Sequence, residues 1–230
     1  MDIIATITAI DAALREVADP EKAPAMAAYM KHHFVFLGVP KPQREAATRR
    51  IIRALTFRDE AELQDLVRRL WAMTERELHY VANDILVRHS AVLTDEALPF
   101  LRALITSNSW WDSVDGLVHV VGDGTVAFPE WVATMQTWST DPNMWLRRVA
   151  ILHQLGRKHA TDVGRLGEIV LANAADNEFF IRKAIGWALR DLAWSQPDIV
   201  AEFVRAHSDI LSPLSRREAL KNVTRIRGRD

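Results

Sequence analysis

The sequence predicts an all-α fold, a curved α-solenoid of HEAT-like helical hairpins with a period of about 35 residues. Apolar residues recur at helical spacing, no stretch alternates convincingly as a strand, and one short pattern returns at a constant offset. These three observations predict one solenoid domain over residues 1–230, with an extended concave surface suited to a long ligand.

Helical segments are recognised by apolar residues three and four positions apart. One set is Leu63, Leu66, Val67, Leu70 and Trp71, and another is Ile181, Ile185, Ala188, Leu189 and Leu192. The nine prolines fall mostly at candidate joints, and Asp141-Pro142 and Ser212-Pro213 are predicted helix entrances because proline is acceptable in a first helical turn. The pattern predicts roughly ten or more helices of about 10 to 18 residues.

A repeat runs through the second half of the chain. Its aligned rows are residues 110–115, 145–150, 180–185 and 215–220, with a weaker copy at 77–82. One column holds a small or β-branched apolar residue in all four rows, namely Val114, Val149, Ala184 and Ala219. A period in the mid-thirties built only from helices is typical of stacked hairpins, and the absence of TPR signature residues favours the HEAT-like type.

Length and composition are those of an ordinary globular chain. With 230 residues, 49% hydrophobic and 26% charged, the chain can bury a substantial core. The absence of cysteine excludes a disulfide framework, thiolate zinc, an iron–sulfur cluster and a cysteine nucleophile. No basic N-terminal region and no apolar run of about 20 residues occur, so we expect a cytoplasmic protein with no membrane partner.

Charge is distributed unevenly along the chain. The formal net charge is −1, but residues 1–140 carry 14 basic and 19 acidic residues, whereas residues 141–230 carry 15 and 11. We therefore expect an anionic partner to prefer the C-terminal part.

A column of arginines follows the repeat at Arg147, Arg182 and Arg217, with Arg148 and Lys183 beside it. A solenoid repeats its columns along one face. The stripe is therefore either a solvated helix surface or a binding surface for a long anionic ligand.

Trp110, Trp145 and Phe180 share another column. Aromatic residues at this spacing favour a core between repeats over a platform on which bases stack.

Asp115 breaks the apolar rule of its own column, where the other rows have Ala150, Ile185 and Leu220. It lies one helical turn from Trp111 on the same face. Such a carboxylate is either a structural group that bonds an arginine or neighbouring N–H groups, or an active-site anion.

Five segments together resemble the AlkD family of bacterial DNA alkylation repair glycosylases. They read YMKHHFVFLG at 29–38, SWWDSVD at 109–115, WLRRVAIL at 145–152, FFIRKAIGWALR at 179–190 and PLSRREA at 213–219. The resemblance runs from about residue 5 to 225, in order and with compatible spacing.

The resemblance implies a solenoid that wraps duplex DNA and removes N3- and N7-alkylated purines without inserting the base into a tight pocket. Carried over by residue, it implies Asp115 as the catalytic carboxylate, with Trp111 and Trp187 beside the reacting nucleotide. The predicted DNA-binding residues are Tyr29, Arg148, Arg147, Arg182 and Lys183.

The chemistry agrees with a single carboxylate. A cationic N-alkylpurine departs as a neutral base, so no general acid is needed to protonate it. The carboxylate stabilises positive charge on the deoxyribose and orients water, while indole faces attract the cation.

Two observations keep alternatives open. A strict repeat register places Arg148 and Trp187 roughly 120 to 160° around the helix from Trp111 and Asp115. A near-neutral charge also requires the basic residues to be segregated on one face. The alternatives are a non-catalytic binder of unusual or damaged DNA and a HEAT-like protein-interaction scaffold.

Weaker signals complete the predictions. His32-His33 lacks partners at metal-ligand spacing, Gly122-Asp123-Gly124 is predicted to be a turn, and no serine stands in a nucleophile-elbow pattern. We therefore expect no metal, no nucleotide cofactor and no other cofactor. We also expect a monomer.

Overall fold

A computed structural model describes residues 1–227, apart from the side chain of Arg227. This part contains thirteen α-helices, three short 3-10 turns and no β-strand, so the predicted all-α class is confirmed. One isolated parallel bridge joins Val35 and Glu75. The helices are α1 Ile3–Glu16, α2 Ala23–Tyr29, α3 Lys41–Ala54, α4 Glu60–Trp71, α5 Arg76–His89, α6 Leu98–Ile105, α7 Trp111–Ala127, α8 Trp131–Trp138, α9 Met144–Leu152, α10 Val163–Ala172, α11 Phe179–Leu192, α12 Pro197–Ala206 and α13 Pro213–Arg227.

Four helices are shorter than the sequence predicts. α2, α6, α8 and α9 have 7, 8, 8 and 9 residues. Helices of this length do not persist alone, so packing against neighbouring elements must hold them. None of the helices in residues 1–227 has both the length and the apolar character needed to cross a membrane.

The chain forms two compact units, residues 1–104 and residues from 105 onward. In the first unit, α4 packs on α1 and α5, and α3 packs on α1 and α5. The apolar residues of α4 that stand at helical spacing are buried, which confirms their predicted role; they are Leu63, Leu66, Val67, Leu70 and Trp71. The single domain over residues 1–230 stays a prediction.

A buried carboxylate holds the segment before α3. Glu77 on α5 is fully buried and accepts hydrogen bonds from the backbone N–H groups of Leu37, Gly38 and Val39, each at 3.0 Å. Gly38 has a φ of +85°, and a Cβ there would lie 1.9 Å from the backbone oxygen of Asp19. Glycine is therefore required where the chain passes from α2 to α3.

In the second unit the repeat corresponds to a row of four helices. α7, α9, α11 and α13 start at or next to the four aligned segments, and each packs on the next. The small apolar column, Val114, Val149, Ala184 and Ala219, is buried between them. Consecutive stacking, as in an α-solenoid, is thus present in this unit; the HEAT-like type stays a prediction.

Hydrogen bonds between successive rows span about one repeat. Ser215 Oγ donates to the backbone oxygen of Arg182, 33 positions earlier, at 2.9 Å. Asn222 Nδ2 donates to the backbone oxygen of Arg190, 32 positions earlier, at 2.8 Å. α13 is therefore tied to α11, the row before it, by polar as well as apolar contacts.

The predicted turn at Gly122-Asp123-Gly124 is wrong, because these residues lie inside α7. A Cβ at Gly122 would lie 2.5 Å from the backbone oxygen of His153, and one at Gly124 would lie 2.1 Å from the Trp131 ring. The glycines allow α7 to pack closely against its neighbours, which outweighs the roughly 1 kcal/mol that glycine costs in a helix.

One of the two predicted helix entrances is confirmed and the other is misplaced. α13 begins at Pro213, and Ser212 Oγ accepts the N–H of Ser215 at 3.0 Å. By contrast, α9 begins only at Met144, because Asn143 rather than the Asp141-Pro142 pair caps it. The side chain of Asp141 accepts the N–H of Asn143, which forms a turn before the helix.

Candidate active site

Asp115 lies in the second turn of α7, one turn after Trp111. The corresponding residues of the next two rows, Ala150 and Ile185, are completely buried. The Asp115 side chain instead keeps 20% of its surface exposed. The residue that breaks the column is therefore a carboxylate at the edge of the core, open on one side.

Arg148 on α9 binds Asp115 through two parallel hydrogen bonds. Nε donates to Oδ1 at 2.8 Å and Nη2 donates to Oδ2 at 2.9 Å. This paired geometry fixes the plane and direction of the carboxylate, which a single point charge would not do.

The guanidinium of Arg148 is anchored on its far side as well. Nη1 donates to the backbone oxygen of Phe180 on α11 at 2.7 Å, and the side chain is only 5% exposed. Arg148 on α9 thus joins α7 and α11, its two neighbours in the stacked row. The structure confirms the first interpretation of Asp115, a carboxylate bonded to an arginine. Because one edge of Asp115 is exposed, the carboxylate can also act as an active-site anion, the second interpretation.

Trp187 on α11 lies against the same guanidinium. The Cζ atom of Arg148 is 6.0 Å from the ring centroid of Trp187 and 6.0 Å from that of Phe180. The structure therefore brings Asp115, Arg148 and Trp187 into one cluster.

The register calculation that separated these residues is wrong. It compared the directions of side chains as if partners had to point the same way from their helices. Side chains on neighbouring helices can also meet by pointing toward each other, so residues of different columns can come into contact. Arg148 on α9 points back to Asp115 on α7, 33 positions earlier.

The rings of the aromatic column pack on one another between the rows, as predicted, with Trp145 buried and Trp110 and Phe180 half-buried. The ring centroids of Trp110 and Trp145 are 5.9 Å apart, those of Trp110 and Phe180 are 5.1 Å apart, and those of Trp145 and Phe180 are 5.2 Å apart. Trp110 immediately precedes α7 and Phe180 supplies the carbonyl that holds Arg148. The cluster thus supports the helix ends that carry the site.

Two other aromatic residues predicted for the site, Trp111 and Tyr29, differ in their burial and in the helix that carries them. Trp111 is half-buried at the first position of α7. Tyr29 ends α2 in the first unit and is 70% exposed.

Comparison with known proteins identifies the protein family of this chain. A protein-family model described as DNA alkylation repair enzyme matches residues 10–223. The chain belongs to this DNA alkylation repair family. A solved structure described as a predicted DNA alkylation repair enzyme from Enterococcus faecalis is similar, with 33% sequence identity and a TM-score of 0.81; the match covers 89% of this chain and 95% of that one. Comparison with curated proteins finds no significant match.

The basic column of this DNA alkylation repair protein is not uniform. Arg147 Nη1 donates to the backbone oxygens of Asp141 and Pro142, and its Nη2 binds Asp176 at 2.8 Å. Arg182 is half-buried, and Arg217 is exposed. Arg147 therefore supports the loop before α9, and its contact with DNA, like that of Arg182, stays a prediction.

Lys183 belongs to a cation cluster that the sequence analysis of this repair protein did not identify. Glu218 on α13 is buried and binds Lys221 at 2.7 Å, Lys183 at 3.3 Å and also Arg190. The hydrogen bonds from Lys221 and Lys183 lower the pKa of Glu218. One face of α11 carries Lys183, Trp187 and Arg190, at positions i, i+4 and i+7. This spacing is the sequence pattern from which the cluster could have been predicted.

His32 and His33 lie in the exposed segment after α2 of the repair protein. Across residues 1–227, no three or more His, Cys, Asp or Glu side chains are grouped so that they could hold a metal ion.

Proposed function

We propose that the protein is a DNA N-glycosylase of the AlkD type, which excises N3- and N7-alkylated purines from duplex DNA in base excision repair. The observation that carries the proposal is the partly exposed carboxylate of Asp115, held by two hydrogen bonds from buried Arg148. Membership of a family of DNA alkylation repair enzymes supports the substrate class.

The substrate makes a single carboxylate sufficient. Alkylation at N3 or N7 leaves the purine positively charged, so the base departs neutral when the glycosidic bond breaks and needs no proton from an acid. Positive charge then develops on the deoxyribose. Asp115 faces that charge and orients the attacking water.

Arg148 positions the carboxylate rather than taking part in bond breaking. A carboxylate has about four lone-pair sites, and the guanidinium occupies one on each oxygen. The remaining sites can accept a water and face the sugar. Fixed orientation of this kind lowers the entropy lost on reaching the transition state.

Indole side chains complete the proposed site. Trp111, one turn before Asp115, and Trp187, against Arg148, would attract the cationic base and the polarised C–H groups of the sugar through their faces. Tyr29 is assigned an aromatic contact with the lesion-bearing nucleotide on the resemblance alone. Arg147, Arg182 and Lys183 are the proposed contacts to the DNA backbone, whereas buried Arg148, to which the resemblance gives the same contact, is proposed as a positioning residue.

The test is to incubate the protein with duplex DNA that contains a single N7-methylguanine and to measure free base by chromatography. Release that exceeds the spontaneous rate, and that stops when the protein is heat-inactivated, is the expected result. Binding of the duplex without release would favour a non-catalytic binder of damaged DNA. Neither binding nor release would favour a protein-interaction scaffold.

A further inference from the structure

The carboxylate of Glu218 on α13 lies at the level of Trp187 on α11. It binds Lys183 through Oε1 at 3.3 Å and Arg190 through Oε2, and these two cations lie on α11. Seven positions separate them, which is about 10.5 Å along the helix axis, so a single carboxylate that reaches both must lie between them. Gly186 agrees with this placement, because a Cβ there would lie 2.5 Å from the Cβ of Glu218.

The two cations flank Trp187 along α11. Lys183 precedes it by four positions and Arg190 follows it by three, and side chains at these spacings are neighbours on a helix surface. Both are long and flexible, with 38% and 30% of the side chain exposed, so each is able to reach the indole face and bind it as a cation. Within residues 1–227 neither makes such a contact, and both bind Glu218 instead.

Glu218 itself is fixed on α13. Its side chain is only 6% exposed, and Lys221 on the same helix donates to Oε1 at 2.7 Å. The hydrogen bonds from Ser215 and Asn222 to backbone oxygens of α11 hold the two helices together. The carboxylate therefore holds the two α11 cations on the side of α11 that faces α13.

We propose that Glu218 is a positioning residue, which keeps Lys183 and Arg190 away from the face of Trp187 so that this face can receive the cationic base. The inference rests on the proposed function for the role of Trp187. A lysine or arginine side chain over the indole would occupy the place of the alkylated base and would also repel its positive charge. Glu218 thus acts on base release through Trp187 and does not touch the substrate.

The test replaces Glu218 by glutamine and measures single-turnover release of N7-methylguanine from duplex DNA at saturating protein. The amide keeps the size of the side chain, and both α11 cations reach solvent, so the protein should fold. We expect release to slow roughly 2- to 30-fold, the range that loss of one cation–π contact spans. Glu218→Asp, which keeps the charge but is too short to reach both cations, should slow release as well and replaces the glutamine variant if that protein does not fold.

Two further variants separate positioning from a purely structural role. Glu202→Gln removes an exposed carboxylate that binds Arg205 on α12 and should leave the rate unchanged. Arg190→Met, added to Glu218→Gln, removes one of the two released cations and should recover the rate roughly twofold or more. A purely structural role predicts a further loss instead, because another contact between α11 and α13 would be missing. Absence of recovery, or equal rates for wild type and Glu218→Gln, would overturn the proposal.

Fluorine NMR of protein labelled with fluorotryptophan observes the indole without DNA. The Trp187 resonance is assigned by its absence from Trp187→Phe, and it should shift in Glu218→Gln and move back when Arg190→Met is added. A wild-type protein that releases no base but shows this shift on substitution would refute the glycosylase and leave the effect of Glu218 on Trp187 standing. A wild-type protein that releases base, with a Trp187 resonance that does not respond to Glu218→Gln, would refute the positioning role alone.

Discussion

Arg148 and Asp115 stand 33 positions apart, on successive stacked helices, and meet through hydrogen bonds of 2.8 and 2.9 Å. The arginine is almost fully covered and the aspartate is open on one side. Arg148 is therefore held within the protein, whereas Asp115 is accessible to a ligand. Substitutions of the two residues should accordingly have different consequences.

Replacing Asp115 by asparagine keeps its size and removes its charge. We expect single-turnover base release to slow roughly 10² to 10³-fold, because the charge that faces the developing sugar cation is lost. The unfolding free energy should also fall by about 1 to 3 kcal/mol, since the amide cannot accept both hydrogen bonds from Arg148. Asp123→Asn, an exposed change on the same helix, is the matched control. Unimpaired release by a folded Asp115→Asn protein would contradict the mechanism.

Replacing Arg148 by lysine keeps the positive charge and removes the planar guanidinium with its two parallel N–H donors. One ammonium group cannot hold both oxygens of Asp115 and the Phe180 carbonyl in the same geometry. We expect base release to fall at least about tenfold, with the salt dependence of DNA binding nearly unchanged. Arg157→Lys, at another guanidinium bonded to a helix carbonyl, serves as control. If the variant lost DNA binding and kept its rate at saturation, Arg148 would be a backbone contact instead of a positioning residue.

The charge of the lesion should decide whether it is a substrate. N7-methylguanine and N3-methyladenine should be released, whereas uracil and 8-oxoguanine, which are uncharged, should remain in the duplex. Trp187→Ala should slow release roughly 2- to 30-fold through loss of a cation–π contribution of about 0.5 to 2 kcal/mol, and Trp187→Phe should slow it less. Faster release of uracil than of N7-methylguanine would leave the family likeness as one of fold.

Adding a methyl group at Gly124 should destabilise the second unit. The new Cβ would lie 2.1 Å from the ring of Trp131, which is buried. We expect Gly124→Ala to lower the unfolding free energy by about 1 to 3 kcal/mol, although alanine is the better helix former. Gly164→Ala on α10 meets only the Asp162 side chain, at 3.5 Å, and should cause no loss. Equal thermal unfolding of the two variants would show that α7 has room to adjust.

His153 should make stability depend on pH. Burial lowers its pKa from 6.5 to about 4, and its Nε2 has no hydrogen-bond partner within residues 1–227. The unfolded chain therefore takes up the proton more readily, so the unfolding free energy should fall as pH drops from about 6.5 toward 4, by at most about 3 kcal/mol from this group. Urea unfolding of the wild-type protein and of His153→Gln at pH 7, 6 and 5 measures the difference. Parallel pH profiles would exclude His153 as the cause.

Much of the second unit was predictable because its repeat is strict. The column of Val114, Val149, Ala184 and Ala219 correctly indicated which faces are buried. The Gly122-Asp123-Gly124 turn was wrong because a glycine pair marks a turn or a close helix contact equally well, and only the position of Trp131 decides between them.

The candidate site was predictable as a set of residues and not as an arrangement. Asp115 stood out because it broke an apolar column, but the pairing with Arg148 depends on which faces of neighbouring helices meet, and periodicity within one helix does not contain that information. The Glu218 cluster was missed because its cations come from two different helices, and the spacing within one helix does not show which faces of the two helices meet.

The hydrogen bonds between rows, each spanning little more than thirty residues, have a consequence for how the second unit forms. Short chain separations make contact formation fast, and a row can add to any neighbour that is already ordered. Opening should accordingly proceed row by row instead of all at once. Because Glu218 on α13 binds Lys183 and Arg190 on α11, α13 must undock before α11, the helix that carries Trp187, can open.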